Sequence, residues 1–283
     1  MKSTITTIVV LISLASFAQE ADRYTNENFL KNLNKDTTYV ALRKKITHEY
    51  IHSTPGRWGE FVKDVDEDIK TKDKVIAFTF DACGREKGSG YDQALIEYLK
   101  KENIPATLFV TGRWIDEHFE TFLSIAKETN FEIENHGFNH KPCSIDGESE
   151  YGIHGTATVG DAFDEIEANA RKIEALTHHK PRFYRSATAF IDEACAKMAQ
   201  QLHIQAISFQ VLSGDAVPFT PATEIEENVL RNIKPGAIVI MHMNHPQWNT
   251  FEALEKIIPK LKAEGYRFVQ LKDFPLYSIK GQD

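Results

Sequence analysis

The amino-acid sequence predicts an α/β fold in which parallel strands alternate with helices. From Val75 onward, short apolar segments rich in β-forming residues recur, and each is followed by a longer segment with helical periodicity. This alternation is typical of parallel strands joined by crossover helices. It fits either an open doubly wound sheet or a closed barrel, and both folds bind ligands at the carboxyl ends of their strands. Polar residues that follow the strands are therefore the first candidates for a functional site.

The individual elements can be assigned in chain order. Seven strands are predicted, at Val75–Phe80, Ala106–Val110, Glu132–Asn135, Arg182–Tyr184, Ala206–Phe209, Ala237–Met241 and Arg267–Gln270. Six helices are predicted, at Tyr91–Glu102, Asp116–Glu128, Val159–Leu176, Asp192–Leu202, Glu224–Asn232 and Phe251–Glu264. Several of these helices begin with acidic residues, which suit a helix N-terminus. The interval between the third and fourth strands is the longest and must hold an extra loop over Lys141–Gly160, and loops of this length are usually functional.

Residues 1–18 have the pattern of a secretory signal peptide. An apolar stretch follows Lys2 and ends at the small-residue pattern Ser16-Phe17-Ala18. The stretch is shorter than the ~20 residues that a membrane span needs. We expect cleavage near Ala18 and a mature protein that is secreted or periplasmic, without a membrane span. Residues 19–72 are polar and are interpreted as an N-terminal extension, which leaves one α/β domain over residues 73–278.

The composition argues against several partners. The formal charge is −8, with 41 acidic and 33 basic side chains, so no basic patch and no nucleic-acid partner are expected. The three cysteines match no zinc-ribbon spacing and allow at most one disulfide. Cys195 falls in a helical pattern and is interpreted as core, whereas a pair between Cys83 and Cys143 stays open. The sequence does not indicate an oligomeric state.

Two of the strand ends carry residues that suit metal chemistry. Asp81 comes directly after the first strand, where a carboxylate can act as a general base or bind a metal. His136 and His140 follow the third strand at positions i and i+4, and on one helical turn they can face one cation. One aspartate and two neutral imidazoles suit Zn²⁺, Co²⁺ or Ni²⁺ with open coordination positions.

Three further strand ends carry residues that suit proton transfer or positioning. Arg185 follows the fourth strand and can pair with a nearby carboxylate. Asp215 follows the fifth strand, and His242 directly follows the sixth, where it is a candidate acid. A core histidine that is satisfied by a backbone carbonyl is the alternative interpretation of His242.

Taken in order, these segments resemble the motifs of the polysaccharide deacetylase (NodB homology, carbohydrate esterase family 4-like) family. The resemblance covers about Lys74–Phe274 and implies a distorted seven-stranded (β/α) barrel with a divalent metal. The first family motif is Thr-Phe-Asp-Asp, and the second is His-Ser/Thr-x-x-His. The five motifs are matched in this chain by Thr79-Phe80-Asp81, His136 with His140, Arg185, Asp215 and Ile240-Met241-His242.

The resemblance also implies a role for each matched residue. Asp81 would be the general base that activates a metal-bound water, and His242 would protonate the departing amine. Arg185 would tune Asp81, and Asp215 would tune His242. Amide cleavage needs an activated water, an electrophile and a proton donor, and this set of residues with one cation supplies all three.

The chain departs from the family pattern at the third metal ligand. The second aspartate of the first motif is Ala82 here, and a methyl group cannot bind a metal. Either Asp81 becomes a ligand beside His136 and His140, or the third position is taken by water or by another carboxylate, for which Glu60 is the first candidate. The second motif has Gly137 in place of a hydroxyl residue, which marks the chain as a divergent branch of the family.

We therefore expect an exported hydrolase that removes N-acetyl groups from a polysaccharide or amino-sugar oligomer and uses zinc, with cobalt or nickel as alternatives. An O-acetyl esterase that acts on xylan-like glycans is an enzymatic alternative. A non-catalytic barrel that only binds carbohydrate is the alternative from another class, and Ala82 is the residue that motivates it.

Overall fold

The structure is a computed structural model, and it describes residues 18–84 and 88–274. The predicted signal peptide falls outside these ranges except for its last residue, Ala18. Within the two ranges, every helix is either too short or too polar to cross a membrane.

The described ranges contain thirteen strands, most of them short. The strands are β1 (Trp58–Gly59), β2 (Val65–Asp66), β3 (Val75–Ala82), β4 (Ala106–Val110), β5 (Phe131–Asn135), β6 (Ser149–Glu150), β7 (Ile153–His154), β8 (Phe183–Tyr184), β9 (Ile191–Asp192), β10 (Gln205–Ile207), β11 (Val211–Leu212), β12 (Ala237–His242) and β13 (Arg267–Phe268).

Helices lie before, between and after the strands. The α-helices are α1 (Asn26–Leu33), α2 (Thr37–Tyr50), α3 (Gln93–Lys101), α4 (Gly112–Glu117), α5 (Phe119–Ile125), α6 (Val159–Phe163), α7 (Asn169–Thr177), α8 (Glu193–Gln201), α9 (Ala222–Asn232) and α10 (Thr250–Ala263). A π-helical turn at Asp164–Ala168 joins α6 to α7, so the helix predicted over Val159–Leu176 is divided. The helix predicted over Asp116–Glu128 is likewise two short helices, α4 and α5.

Nine of these strands form one curled parallel sheet. Its order is β11-β12-β3-β4-β5-β8-β10-β2, and β13 pairs with the start of β3. All seven predicted strands are present in this sheet, which confirms the predicted (β/α) barrel class. The two additional strands, β2 and β11, contain two residues each. They are the ends of the sheet path, and the segment after β2 contacts the start of β12 through a bridge between Asp68 and Ala237.

The alternation of side chains along β3 separates two layers of core. Ile76, Phe78, Phe80 and Ala82 belong to the outer hydrophobic cluster, which the sheet forms with the surrounding helices. The residues between them face the opposite way, because successive side chains in a strand point to opposite faces. Val75 and Ala77 accordingly belong to a separate inner cluster. Asp81 lies in register with these inner residues and therefore points into the barrel.

The N-terminal extension packs directly on this barrel. Tyr39, Ile46 and Tyr50 of α2 are buried in a cluster that includes residues of α6 and α8. The extension also supplies β2, which pairs in parallel with β10, and β1, which pairs with β9. The sequence predicts a single weakly periodic helical segment around Phe29–Tyr50, whereas the structure has two helices there. Asp36 separates them because its side chain accepts the backbone N–H of Thr38 and caps α2 (2.7 Å).

Candidate active site

The carboxyl ends of the parallel strands bring the predicted polar residues to one edge of the sheet. Asp81 of β3 lies directly opposite His242 of β12 in the strand register. His136 follows β5, and Arg185 follows β8, the strand that pairs with β5. Residues that are far apart in sequence are neighbours here because parallel strands end at the same edge.

Asp81 forms a buried ion pair with Arg185. The Arg185 Nη1 donates to Asp81 Oδ1 at 2.8 Å and to Thr79 Oγ1 at 2.8 Å, and its Nη2 donates to the carbonyl of Ser208 at 2.8 Å. The guanidinium also lies over the ring of Phe109, 4.3 Å from its centre. These contacts fix both the position and the orientation of the arginine.

The ion pair determines the charge of Asp81. Burial raises the pKa of this carboxyl group, but the opposing effects, of which the positive charge of Arg185 is the largest, more than offset it, so the pKa lies below its usual value. Asp81 is therefore ionised at neutral pH. A buried, ionised carboxylate that an arginine orients is suited to accept a proton.

His136 is held with one ring nitrogen turned toward Asp81. Its Nδ1 donates to the carbonyl of Arg185 at 2.8 Å, so its Nε2 points to the other side, 3.7 Å from Asp81 Oδ2. A hydrogen bond of this kind fixes the tautomer and the ring orientation of a metal-binding histidine. Burial lowers the pKa of His136, which keeps the imidazole neutral and able to coordinate a cation.

His140 lies beside His136, with ring centres 5.1 Å apart. The prediction that one helical turn presents both rings is wrong, because residues 136–140 form a bend with no helix. Gly137 (φ +91°) and His140 (φ +56°) adopt left-handed backbone conformations, which interrupt a right-handed helical path. The two imidazoles are nevertheless brought together.

The bend is held by Glu165, which sequence reasoning did not identify. The carboxylate of Glu165 accepts the backbone N–H groups of Asn139 (3.0 Å) and Lys141 (2.9 Å), and it occupies the space where a side chain at Gly137 would lie. Burial raises the pKa of Glu165 to about 7, although the two N–H donors lower it. This residue belongs to the π-helical turn, and acidic residues are so common near helix starts that the sequence gives no signal for its role.

Cys83 is the second residue that the sequence analysis did not assign to the site. Its Sγ lies 3.9 Å from His136 Nε2, and the ligand atoms of Cys83, His136 and His140 all lie within 4.8 Å of one another. The open question of a disulfide between Cys83 and Cys143 has a negative answer, because none of the three cysteines is in a disulfide. Cys143 instead contacts the thiol of Cys195 in the core. Strand alternation from Asp81 was the signal that could have found Cys83.

Glu60, the suggested substitute ligand, does not join this group. It lies beside Glu150 and Tyr151, and burial together with the charge of Glu150 raises its pKa. Across residues 18–84 and 88–274, the only group of three close potential metal donors is the one formed by the thiol and the two imidazoles.

His242 forms a pair with Asp215. Its Nδ1 donates to Asp215 Oδ1 at 3.0 Å, and its backbone N–H donates to Oδ2 at 2.7 Å. Burial lowers the pKa of His242, but attraction to Asp215 and the hydrogen bond with it more than compensate, so the pKa is raised. The interpretation of His242 as a core histidine bound to a backbone carbonyl is therefore wrong. With Nδ1 engaged, Nε2 is the nitrogen that can transfer a proton.

A cleft of about 440 Å³ opens beside this pair. Its walls include Asp215 together with the aromatic side chains of Phe219 and Trp248 and the amides of Gln247 and Asn249. Phe219 is 95% exposed, and the ring of Trp248 lies edge-on to His242 with ring centres 5.6 Å apart. Exposed Phe219 and Gln247 and half-buried Trp248 and Asn249 thus lie next to the His242–Asp215 pair.

Comparison with known proteins identifies the family of this chain. The family model described as polysaccharide deacetylase matches residues 68–207. The chain belongs to the polysaccharide deacetylase family. A peptidoglycan-N-acetylglucosamine deacetylase of Bacillus cereus is 24% identical over 212 residues, which are 74% of this chain and 92% of that protein. The match to the uncharacterized protein YlxY of Bacillus subtilis is 26% identical, and it spans 63% of this chain and about half (51%) of YlxY.

Solved structures share the fold. The Bc1960 peptidoglycan N-acetylglucosamine deacetylase superposes with a TM-score of 0.64 at 26% identity, over 76% of this chain and 94% of that one. A CE4 family pseudoenzyme from Bacillus anthracis superposes with a TM-score of 0.57 at 28% identity, over 71% of this chain and 65% of that one. A protein named as a deacetylase and a protein named as a pseudoenzyme thus share the fold with this chain at similar sequence identity.

Proposed function

We propose that this polysaccharide deacetylase family member is an exported, divalent-metal-dependent hydrolase that removes N-acetyl groups from an amino-sugar polymer or oligomer. One observation carries the proposal: the Asp81–Arg185 and His242–Asp215 pairs face each other on adjacent strands, next to two close imidazoles. Such an arrangement provides a base and an acid on either side of a cation-binding position.

The donor set fits the cation that the family implies. His136 and His140 would hold it, because both are buried and close together, and Nδ1 of His136 is already engaged by a backbone carbonyl. Zinc is the ion we favour, with cobalt or nickel as alternatives. When bound, the cation would polarise the acyl oxygen and lower the pKa of a water molecule.

The residues of the chain supply the proton transfers. Asp81 takes the proton of the attacking water on Oδ2, because Oδ1 is held by Arg185. His242 then delivers a proton from Nε2 to the departing nitrogen, and Asp215 stabilises the imidazolium before the transfer. An amine is a poor leaving group without this proton, so the acid is as necessary as the base.

Catalysis is favoured over a binding-only function. A pseudoenzyme relative exists, and Ala82 departs from the family motif. However, Arg185 is fully buried against Asp81, and Asp215 accepts two hydrogen bonds from His242. Burying charged pairs is costly, so two such pairs aimed at one point support a role in turnover.

The substrate class follows from the relatives and from the cleft. Proteins named as deacetylases of peptidoglycan N-acetylglucosamine and N-acetylmuramic acid are among the relatives. A bifunctional xylanase/deacetylase of Pseudobutyrivibrio xylanivorans is also similar, at 24% identity over 208 residues, and it supports the O-acetyl alternative. The aromatic and amide walls of the cleft beside Asp215 suit the faces and hydroxyl groups of sugar rings.

Acetate release tests the proposal directly. Purified protein is stripped of metal, reloaded with Zn²⁺, Co²⁺ or Ni²⁺, and incubated with N-acetylated chitooligosaccharides, with peptidoglycan and with acetylated xylooligosaccharides. We expect metal-dependent release that is fastest from N-acetylated substrates and lost in His140→Ala. His154→Ala, which removes an exposed histidine of β7, should behave like the wild type. Glycan binding without acetate release under every metal would instead support the binding-only function.

Export is a separate part of the proposal. Expression of the full chain in a bacterial host, followed by N-terminal sequencing of the exported protein, should give a mature end near Gln19. Retention of the intact chain in the cytoplasm would contradict export without affecting the proposed chemistry.

A further inference from the structure

We infer that the third protein ligand of the cation is the thiolate of Cys83, and that Asp81 is the base and not a ligand. This inference rests on the proposed metal-dependent function. It replaces the Asp-His-His site that the family motif implies with a Cys-His-His site in this chain.

The distances among the three donors fit one tetrahedral ion. Cys83 Sγ is 3.9 Å from His136 Nε2, and the donor atoms of Cys83, His136 and His140 all lie within 4.8 Å of one another. With Zn–S of about 2.3 Å and Zn–N of about 2.0–2.1 Å, two ligands of one tetrahedral zinc ion lie roughly 3.3–3.6 Å apart. To reach this spacing, pairs of donor atoms would have to approach by at most about 1.5 Å.

The strand geometry explains why the ligand is at position 83 and not at position 82. Ala82 points outward into the hydrophobic cluster between sheet and helices, so its side chain faces away from the histidines. Cys83 directly follows β3 and continues the inward alternation of Val75, Ala77 and Asp81. The next inward-facing position after Asp81 therefore carries a metal-binding side chain.

The backbone around Cys83 is fixed by its neighbours. Thr111 donates its hydroxyl to the carbonyl of Cys83 at 2.9 Å and its backbone N–H to the carbonyl of Ala82 at 3.2 Å. Gly84 then turns the chain with φ +65°, and a Cβ there would come within 2.4 Å of the backbone nitrogen of Trp114. The thiol is thus placed by the close approach of two chain segments.

Asp81 is already committed to another partner. Its Oδ1 accepts from Arg185, so Oδ2, which lies 3.7 Å from His136 Nε2, is the oxygen that is open to a cation or to a proton. Coordination through Oδ2 would occupy the oxygen that the proposed mechanism uses as the base. A ligand at Cys83 leaves that oxygen in position to accept a proton.

A thiolate ligand changes which metals the site selects. Thiolate favours Zn²⁺, Co²⁺ and Cd²⁺ over hard ions such as Mg²⁺ and Ca²⁺, which prefer oxygen donors. Coordination also deprotonates the thiol, so binding should release a proton. The other two cysteines do not compete for the ion, because both are buried in the core and contact each other.

Cobalt spectroscopy on the full chain tests the ligand directly. Co²⁺-loaded wild-type protein should show a thiolate-to-cobalt charge-transfer band in the near ultraviolet. The band should be absent in Cys83→Ser and present in Asp81→Asn and in the control Cys195→Ala, which alters a cysteine outside the site. Zinc affinity should fall in Cys83→Ser by more than the roughly 10–100-fold that is typical for loss of an outer-shell partner.

Thiol alkylation of the wild-type protein gives a readout that needs no variant to fold. Cys83 is partly exposed, whereas Cys143 and Cys195 are buried. Iodoacetamide should modify Cys83 in the metal-stripped protein and spare it after Zn²⁺ is added, as measured by peptide mass spectrometry. Equal modification of Cys83 with and without bound zinc would overturn the inference.

Different experimental results would contradict this inference and the proposed function. If Co²⁺ binds without the charge-transfer band and binding is lost in Asp81→Asn, the Cys83 assignment is overturned while a metal-dependent hydrolase remains. If the wild-type protein binds neither Zn²⁺ nor Co²⁺, the inference and the proposed metal dependence fall together.

Discussion

His242 lies directly opposite Asp81 in the register of two adjacent parallel strands, β12 and β3. Each of the two side chains has its own charged partner, Asp215 for His242 and Arg185 for Asp81. The two partners have opposite effects, since Arg185 favours the ionised carboxylate and Asp215 favours the protonated imidazole. The two partners thus favour an ionised carboxylate beside a protonated imidazole, which are the states that the proposed function assigns to the base and the acid.

Replacing Asp215 by Asn should move the basic limb of the pH–rate profile to lower pH. A general acid must be protonated, so activity is lost as pH rises through its pKa. Asp215 offsets the effect of burial and holds the pKa of His242 above its usual value, so neutralising it lowers that pKa. The measurement is kcat/KM against pH on one N-acetylated oligosaccharide.

Ser213→Ala is the control for this shift. Ser213 donates to Asp215 Oδ1 at 3.0 Å, and its removal leaves the carboxylate charge in place. Its basic limb should stay close to that of the wild type. A basic limb that does not move in Asp215→Asn would show that His242 is not the group that titrates.

Replacing His242 by Gln should slow amide hydrolysis more than ester hydrolysis. Loss of a positioned acid typically costs about 10²–10⁴-fold in rate. An alcohol departs more readily than an amine without protonation, so O-acetyl substrates should lose less of their rate. Comparing kcat for N- and O-acetylated oligosaccharides in the two proteins checks this, and equal losses on both would argue against His242 as the acid.

Removing the guanidinium of Arg185 should destabilise the fold through Asp81. Arg185→Met leaves a buried carboxylate without its partner, which typically costs about 3–5 kcal/mol. Urea denaturation of the metal-free protein measures the free energy of unfolding. The double variant Asp81→Asn/Arg185→Met should recover part of the loss, because no uncompensated charge remains. Strictly additive losses would contradict a direct ion pair.

Alanine substitution of two glycines with similar φ angles distinguishes backbone strain from side-chain crowding at the histidine bend. Gly137 has φ +91° and Gly147 has φ +95°, but a Cβ at position 137 would come within 2.4 Å of Glu165, whereas nothing lies within 4 Å at position 147. Gly147→Ala should cost only the backbone strain, about 1–3 kcal/mol in the free energy of unfolding. Gly137→Ala should cost more and should also weaken zinc binding. Equal effects of both variants on stability and on zinc affinity would show that Glu165 does not support the bend.

The parallel core could be predicted from the sequence because its strands are long enough to show a pattern. The eight apolar-rich residues of β3 and the six of β12 are both fully or nearly buried, and helices separate them from the next strands. β2 and β11 contain two residues each, too few for any periodicity to be recognised. The π-helical turn at Asp164–Ala168 was hidden for a related reason, since one wider turn hardly changes the spacing of apolar residues along a helix.

The sequence predicted the site residues only where the end of a parallel strand determines the position of the side chain. Asp81, Arg185 and His242 converge because each lies at the end of a parallel strand. Cys83 lies one residue past the end of β3, where strand alternation turns its side chain inward, so the sequence did contain a signal for it. Glu165 supports the bend through hydrogen bonds from backbone N–H groups, which neither residue type nor spacing reveals.

The strand β2 has a practical consequence for anyone who wishes to express a shorter form of this protein. The match to the family model begins at residue 68, three residues after the start of β2 at Val65. A fragment that began there would lose the strand that covers β10 and the helix that buries Tyr39, Ile46 and Tyr50. It would present an uncovered sheet edge and an exposed apolar face, both of which promote aggregation. The segment shared with relatives is shorter than the segment that must fold as a unit, so truncations for crystallisation should begin upstream of α1.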